Sequence, residues 1–216
     1  MKIEVLKNIS SANDAIAAQN RNKLDEQGVT AVNIMASPGA GKTSFILQTI
    51  DHLKGKLKTS VIEGDIASKI DADKIDEKGI PVVQINTGGN CSLEAHMIGS
   101  SLDKLPLKDT EILFIENVGN LICPASQALG EHIKVVIAST PEGDDKPSKY
   151  PLMFAESDAV IINKIDLAPH VDFDTAGFKK VVQGLNPDVV IFEVSSKTGD
   201  GIEKWCHWLT AKAKKS

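Results

Sequence analysis

At 216 residues, with 42% apolar and 25% charged residues, the chain has the size and composition of a globular domain with a sizeable core. Extended disorder and fibrous classes are excluded, and no apolar run approaches the roughly 20 residues of a membrane-spanning helix. Acidic residues outnumber basic ones, 29 to 24, which argues against a nucleic-acid binder.

In chain order, residues 1–28 are expected to form a helical extension and residues 29–216 the main domain. The start, Met1-Lys2-Ile3-Glu4, has neither a long apolar segment nor a small-residue cleavage site, so a cytoplasmic location is expected. Residues 9–27 read as a polar helix stopped by Gly28. Its apolar positions Ile9, Ala12, Ile16 and Leu24 are sparse, which predicts a helix lying on the surface of the body. Short apolar runs then recur at 31–36, 60–63, 81–85, 112–115, 134–138, 159–162 and 189–194, the pattern of buried strands. Helical periodicity separates most of them. Residues 43–53 place Phe45, Ile46, Thr49, Ile50 and Leu53 on one face, and 200–212 place Ile202, Trp205, Cys206 and Leu209 on one face. The alternation predicts an α/β protein of the P-loop NTPase class, with a mostly parallel central sheet and helices on both faces. Ligands of such sheets bind beyond the carboxyl ends of the strands.

Ser37-Pro38-Gly39-Ala40-Gly41-Lys42-Thr43-Ser44 joins the first strand to a helix, the setting of a phosphate-binding loop. Its backbone N–H groups would close around phosphates, Lys42 would reach the β/γ-phosphates, and the Thr43 hydroxyl would bind Mg²⁺. Ala36 stands where the first glycine of the strict pattern usually falls. Asn163-Lys164-Ile165-Asp166 follows the sixth strand. The Asp166 carboxylate suits guanine, whose N1–H and N2–H it accepts together, while Asn163 and Lys164 would brace the base and the loop. Ser195-Ser196-Lys197 follows the last strand and resembles a base-contacting loop. The three motifs in this order favour GTP and GDP over ATP.

Glu63-Gly64-Asp65 and Glu116-Asn117-Val118-Gly119 end the second and fourth strands. Glu116 is assigned with Thr43 to the Mg²⁺ side, and Asp65 to the metal side and to positioning the attacking water. Asp71 is a second candidate for either task. Lys42, Asp65 and Glu116 form the expected catalytic set. No arginine finger or switch glutamine can be assigned, so intrinsic hydrolysis is expected to be slow until a partner or second subunit completes the site.

The three cysteines do not make a disulfide framework and are read as core residues or as metal and redox groups. Cys91 and Cys123 fall just past the third and fourth strands, on the nucleotide edge. They read equally as soft metal ligands and as small core residues. As ligands, two thiols leave a four-coordinate site open. A two-fold dimer would supply four, and His96 is a further candidate. Cys206, on the apolar face of the last helix, reads as a buried inert thiol, with His207 off that face.

These residues resemble the HypB family, the GTPases that insert nickel during [NiFe]-hydrogenase maturation. The matching stretches are 37–43, 63–66, 91–97, 116–124, 142–151 and 163–166. The run Glu-Asn-Val-Gly-Asn-Leu-Ile-Cys-Pro is the most specific. The resemblance implies GTP-dependent homodimerisation, a Ni²⁺ or Zn²⁺ site shared between subunits through Cys91 and Cys123, and delivery of nickel to the hydrogenase large subunit with another maturation protein as partner. The family pairs its first cysteine with an adjacent histidine. Here Ser92 follows Cys91, which moves that role to His96 or leaves a thiolate-only site. The N-terminal cysteine cluster and His-rich stretch of some members are absent from this sequence. Lys146 and Lys149 match a loop that contacts the partner's nucleotide, and read equally as solvated lysines. The alternatives are a GTPase for urease or cobalamin-enzyme maturation with no metal site of its own, a regulatory switch with Cys91 and Cys123 in the core, and a nucleotide-binding scaffold without turnover.

Overall fold

The computed structural model describes residues 9–65 and 70–213, with side chains from residue 12 onward. Ile66, the last residue of one of the matching stretches, and the side chain of Ile9 lie outside the described residues. Seven strands form one sheet: β1 (Thr30–Ala36), β2 (Thr59–Asp65), β3 (Val82–Asn86), β4 (Ile112–Glu116), β5 (Ile133–Ser139), β6 (Ala159–Asn163) and β7 (Val190–Glu193). Their order is β3-β2-β4-β1-β5-β6-β7, and every pairing is parallel. All seven expected strands are present, with ends shifted by a residue or more.

β1 lies in the middle of the sheet, between β4 and β5, and leads straight into the glycine-rich loop. The acidic and cysteine-bearing loops after β2, β3 and β4 therefore fall on one side of that loop. The Asn163 and Ser195 loops, after β6 and β7, fall on the other. One strand order sorts the two kinds of chemistry to opposite flanks of a single phosphate cradle.

The period-2 alternation of the strands sends side chains to two layers. Val32, Ile34 and Ala36 of β1 join Val61, Phe114, Val135 and Ile161 beneath α2 (Lys42–Leu53) and the helix Ile202–Ala213. There Trp205 is fully buried against Phe45, with ring centroids 5.3 Å apart, and its indole N–H donates to the Thr49 hydroxyl at 3.1 Å. On the opposite face, Ala31, Leu113 and Ile115 pack with Leu24 of α1 (Ile9–Gln27) and with Ile98 and Leu102 of α4 (Ala95–Leu102). Beyond them Met35, Val136 and Ile162 pack with Met153, Phe154, Phe178 and Val182.

α1 lies on the surface of the body as expected, with one narrow face packed against it. Ala17, Asn20 and Leu24 form a buried stripe, which an inventory of apolar positions misses because its centre is an asparagine. Asn20 Nδ2 donates to the carbonyls of Ala95 (2.8 Å) and Leu129 (3.0 Å). Asn13 Oδ1 accepts from Ala95 N at 2.9 Å and so satisfies an amide in the first turn of α4. Because Asn20 is only 4% exposed and bonds two separate segments, Asn20→Ala is expected to lower stability by about 1–3 kcal/mol. Urea unfolding would register this as a lower midpoint at unchanged slope.

Candidate nucleotide and metal site

The loop after β1 turns into α2 through Gly41, whose φ of 98° is left-handed. No side chain caps that helix end, so its first amides face the loop, as an anion site requires. A Cβ on Gly41 would lie 2.7 Å from Asn163 Nδ2. That nitrogen donates to Ala40 O at 2.9 Å. Lys164, the non-glycine residue at positive φ (61°) among the described residues, donates through Nζ to Gly39 O at 2.7 Å. Asn163 and Lys164 thus staple the β6 loop to the phosphate loop, a more specific task than bracing a base.

Asn163 Oδ1 also accepts from Ser196 N (3.1 Å) and Ser196 Oγ (2.9 Å). Ser195 Oγ donates to Asp166 Oδ1 at 2.6 Å and accepts from Lys197 N and Thr198 N. Gly41, Ser44, Asn163, Lys164, Asp166, Ser196 and Lys197 line one hollow of about 390 Å³, with Asp166 at its wall. The three motifs read from the sequence therefore meet in space, and Pro38 completes the phosphate loop on the other flank by lying against Gly119.

On that flank the register of β2 against β4 sets Glu63 beside Glu116. Both are buried, and Oε2 of each has no hydrogen-bond partner among the described residues. Thr43 Oγ1 donates to Glu116 Oε1 at 2.8 Å. Burial, then the charges of Glu116, Asp65 and Asp71, push the Glu63 carboxyl up to about 8, against the pull of Lys42. Burial pushes Glu116 up to about 7, opposed by Lys42 and the Thr43 hydrogen bond. Two buried acids with unpaired oxygens beside a threonine hydroxyl are the donor set that a hard divalent cation takes, and the residues fit Mg²⁺. Glu63 was not singled out from the sequence, where it reads as a strand residue. The available signal was its spacing of two from Asp65, which puts both acids on one face of β2.

Asp65 is half-buried at the end of β2. Asp71 lies in α3 (Ile70–Asp76) and pairs with Lys74 at 2.7 Å, though its charge still reaches Glu63 and Glu116. The chain's one arginine, Arg21, lies on α1 and donates to Glu131 O at 2.6 Å, outside the nucleotide site.

β3 and β4 flank β2, so the loops leaving them converge over its carboxyl end. Cys91 and Cys123 meet there as a disulfide, with Cα atoms 6.1 Å apart across 32 residues of sequence. This corrects the expectation that the two stand as separate thiol ligands, and the reading of them as core residues, since Cys91 is exposed and Cys123 only half-buried. Sheet order, which spacing does not reveal, brings them together. Asn120 braces Cys123: its Oδ1 accepts from Ile122 N (2.7 Å) and Cys123 N (3.4 Å), and its Nδ2 lies 3.5 Å from Cys123 Sγ. His96 is exposed and faces Glu94 at 3.4 Å. Among the described residues no three His, Cys, Asp or Glu side chains gather into a group that could hold a metal. Cys206 is buried as expected, and burial pushes its thiol up to about 12, which makes it unreactive. Lys149 pairs with Asp145 along the one-turn helix Lys146–Lys149, where Lys149 is exposed and Lys146 half-buried.

A parallel sheet, a glycine-rich loop opening a helix, a buried acidic pair and an Asp-lined hollow define a P-loop nucleotide-binding protein. A family model described as the CobW/HypB/UreG nucleotide-binding domain matches residues 30–193. The hydrogenase maturation factor HypB of Rhizobium leguminosarum bv. viciae is 49% identical over 211 residues, covering 98% of this chain and 71% of that protein. HypB of Escherichia coli K12 is 42% identical, covering 96% and 71%. Among solved structures, HypB from Helicobacter pylori in complex with nickel has a TM-score of 0.91 at 40% identity, covering 94% of this chain and 96% of that one. HypB from Archaeoglobus fulgidus has a TM-score of 0.88 at 41% identity, covering 94% and 99%. The chain belongs to the CobW/HypB/UreG family and, within it, to the HypB hydrogenase maturation factors.

Gly41→Ala is expected to weaken guanine-nucleotide affinity by at least about 30-fold, because it adds left-handed strain to a contact at 2.7 Å with Asn163. A fluorescent-nucleotide titration checks this, with circular dichroism confirming the fold. The acidic pair predicts a pH effect. Both carboxyls titrate above their unfolded values, so the native state holds extra protons between about pH 4.5 and 8 and loses stability as pH rises through that window. The loss is expected to shrink in Glu63→Gln and in wild type with Mg²⁺ and GDP, as urea unfolding at pH 5, 6.5 and 8 would show.

Proposed function

We propose that the chain is a GTP-hydrolysing metallochaperone that dimerises with GTP and delivers nickel to [NiFe]-hydrogenase. The observation that carries this reading is the loop after β4. It begins at Glu116 beside Thr43, passes Gly119, where a Cβ would lie 3.1 Å from Pro38 Cα, and ends at Cys123. One short segment thus touches the nucleotide carboxylate, the phosphate loop and the thiol pair.

In this reading Asp166 recognises guanine, and Lys42 with the amides of the phosphate loop holds the β/γ-phosphates. Thr43, Glu116 and Glu63 would hold Mg²⁺, which when bound would neutralise charge that develops on the transferred phosphoryl group. Asp65, the most solvent-facing of the acids, orients the attacking water. No arginine of this chain serves the site, which leaves slow intrinsic turnover and a role for the second subunit. Lys146 and Lys149 are the candidates to cross over.

Nickel is cargo in this scheme. Two molecules of a cytoplasmic thiol such as glutathione would reduce the Cys91–Cys123 disulfide and leave as their own disulfide, freeing two thiolates, and two subunits would supply four soft donors for Ni²⁺ or Zn²⁺. His96 joins only if the loop after β3 rearranges. The hydrogenase large subunit would be the acceptor, with a second maturation protein as partner. The nickel-bound structure of the Helicobacter pylori relative supports the choice of metal.

The test is Ni²⁺ and Zn²⁺ binding to the reduced chain and to Cys91→Ala/Cys123→Ala, without nucleotide, with GDP and with a non-hydrolysable GTP analogue, recording mass in solution. The expected result is a half or one metal per chain, lost in the double variant and altered by the GTP analogue together with dimerisation. A reduced chain that binds neither metal in any state would overturn the metallochaperone reading in favour of a GTPase switch, as in urease or cobalamin-enzyme maturation.

A further inference from the structure

We propose that Asn117 is the positioning residue through which the nucleotide site sets the geometry of the thiol pair, an inference that rests on the reading above. Asn117 follows Glu116 directly. Strand alternation turns Glu116 toward α2 and the phosphates, and turns Asn117 to the opposite face of the sheet, where it is fully buried. Its backbone N–H donates to Ile34 O at 3.0 Å, which fixes it to β1, the strand that feeds the phosphate loop.

The side chain then reaches both thiol-bearing loops. Oδ1 accepts from Leu93 N at 3.1 Å, just downstream of Cys91, and from Val118 N at 3.0 Å, at the entry to the segment that ends in Cys123. Nδ2 donates to Asn33 Oδ1 at 3.2 Å, and Asn33 Nδ2 donates to Glu131 Oε1 at 3.2 Å. One buried amide thus binds two loops to the rigid centre of the sheet.

Leu93 supplies the second half of the linkage. Its backbone hangs from Asn117, and its buried side chain lies against Gly64, where an added Cβ would come within 2.8 Å of it. Gly64 separates Glu63 from Asp65. Leu93 is therefore gripped between the residue after Glu116 and the residue between the other two acids. A change at those carboxylates when Mg²⁺ and the γ-phosphate arrive reaches the Cys91 loop through close-packed contacts, which do not deform continuously. An asparagine that only satisfied loop amides would affect stability alone. One that positions the thiols also affects how metal affinity responds to nucleotide.

The experiment measures Ni²⁺ affinity of the reduced full chain without nucleotide, with Mg²⁺–GDP and with Mg²⁺ and a non-hydrolysable GTP analogue, for wild type, Asn117→Ala and Asn33→Ala. Wild type is expected to change affinity at least about fivefold between states. In Asn117→Ala that ratio is expected to fall to within about twofold of one, with GDP affinity within about threefold of wild type. Asn33→Ala loosens the same network but keeps the Leu93 bond, and is expected to retain the wild-type ratio at reduced stability. An unchanged ratio in Asn117→Ala overturns the proposal. No ratio in wild type overturns the underlying reading, and this inference with it. If Asn117→Ala does not fold, hydrogen exchange of the Leu93 amide in wild type decides. A change of at least about tenfold with the GTP analogue supports the proposal, and exchange indifferent to nucleotide overturns it.

Discussion

Two carboxylates buried in register on β2 and β4 repel each other unless a proton or a cation lies between them. Parallel pairing of the two strands sets Glu63 beside Glu116, and the dry interior raises both toward the neutral form. The rest of the site is arranged around that pair. Thr43 arrives from the first turn of α2 to bond Glu116, and Lys42 contributes the nearby positive charge. Without a cation the pair keeps a proton at neutral pH and destabilises the sheet only as pH rises past about 7 to 8.

The other flank is stapled by hydrogen bonds. Asn163 and Lys164 donate to the carbonyls of Ala40 and Gly39, which ties the loop after β6 to the glycine-rich loop. A nucleotide bridging both flanks would therefore link a stapled base pocket to a proton-sensitive acidic pair. The soft sulfur pair lies just outside the acids, on loops that grow from β3 and β4. In the proposed reading a hard cation would sit on the acids of β2 and β4 and a soft metal on the thiols of the loops after β3 and β4, so the segment after β4 would couple the two.

Much of this was legible in the sequence, for local reasons. Val/Ile runs marked the strands because a sheet covered on both faces tolerates little else. The phosphate loop and the Asn163–Asp166 segment were legible because their residue types fix backbone geometry and hydrogen bonding within a few residues. What stayed hidden depends on strand order. Glu63 gains its importance only when β2 pairs with β4. Cys91 and Cys123 meet only because β3 and β4 flank β2. Asn20 and Asn13 hold α1 to the body by polar contacts that hydrophobic patterning does not count, and Asn117 looks like an ordinary strand-end polar residue until Leu93 is placed beside it.

The most direct test of the central claim, that the nucleotide carboxylates and the sulfur pair form one mechanical unit, is the thiol–disulfide equilibrium of Cys91 and Cys123 against glutathione. Two glutathione thiols reduce the bond and leave as glutathione disulfide, and Cys206 stays out of the exchange because it is buried. Measured with and without Mg²⁺ and a non-hydrolysable GTP analogue, the equilibrium constant is expected to differ by at least about fivefold, a typical coupling between linked sites. An equilibrium indifferent to nucleotide, in a chain that binds the analogue, would contradict the account.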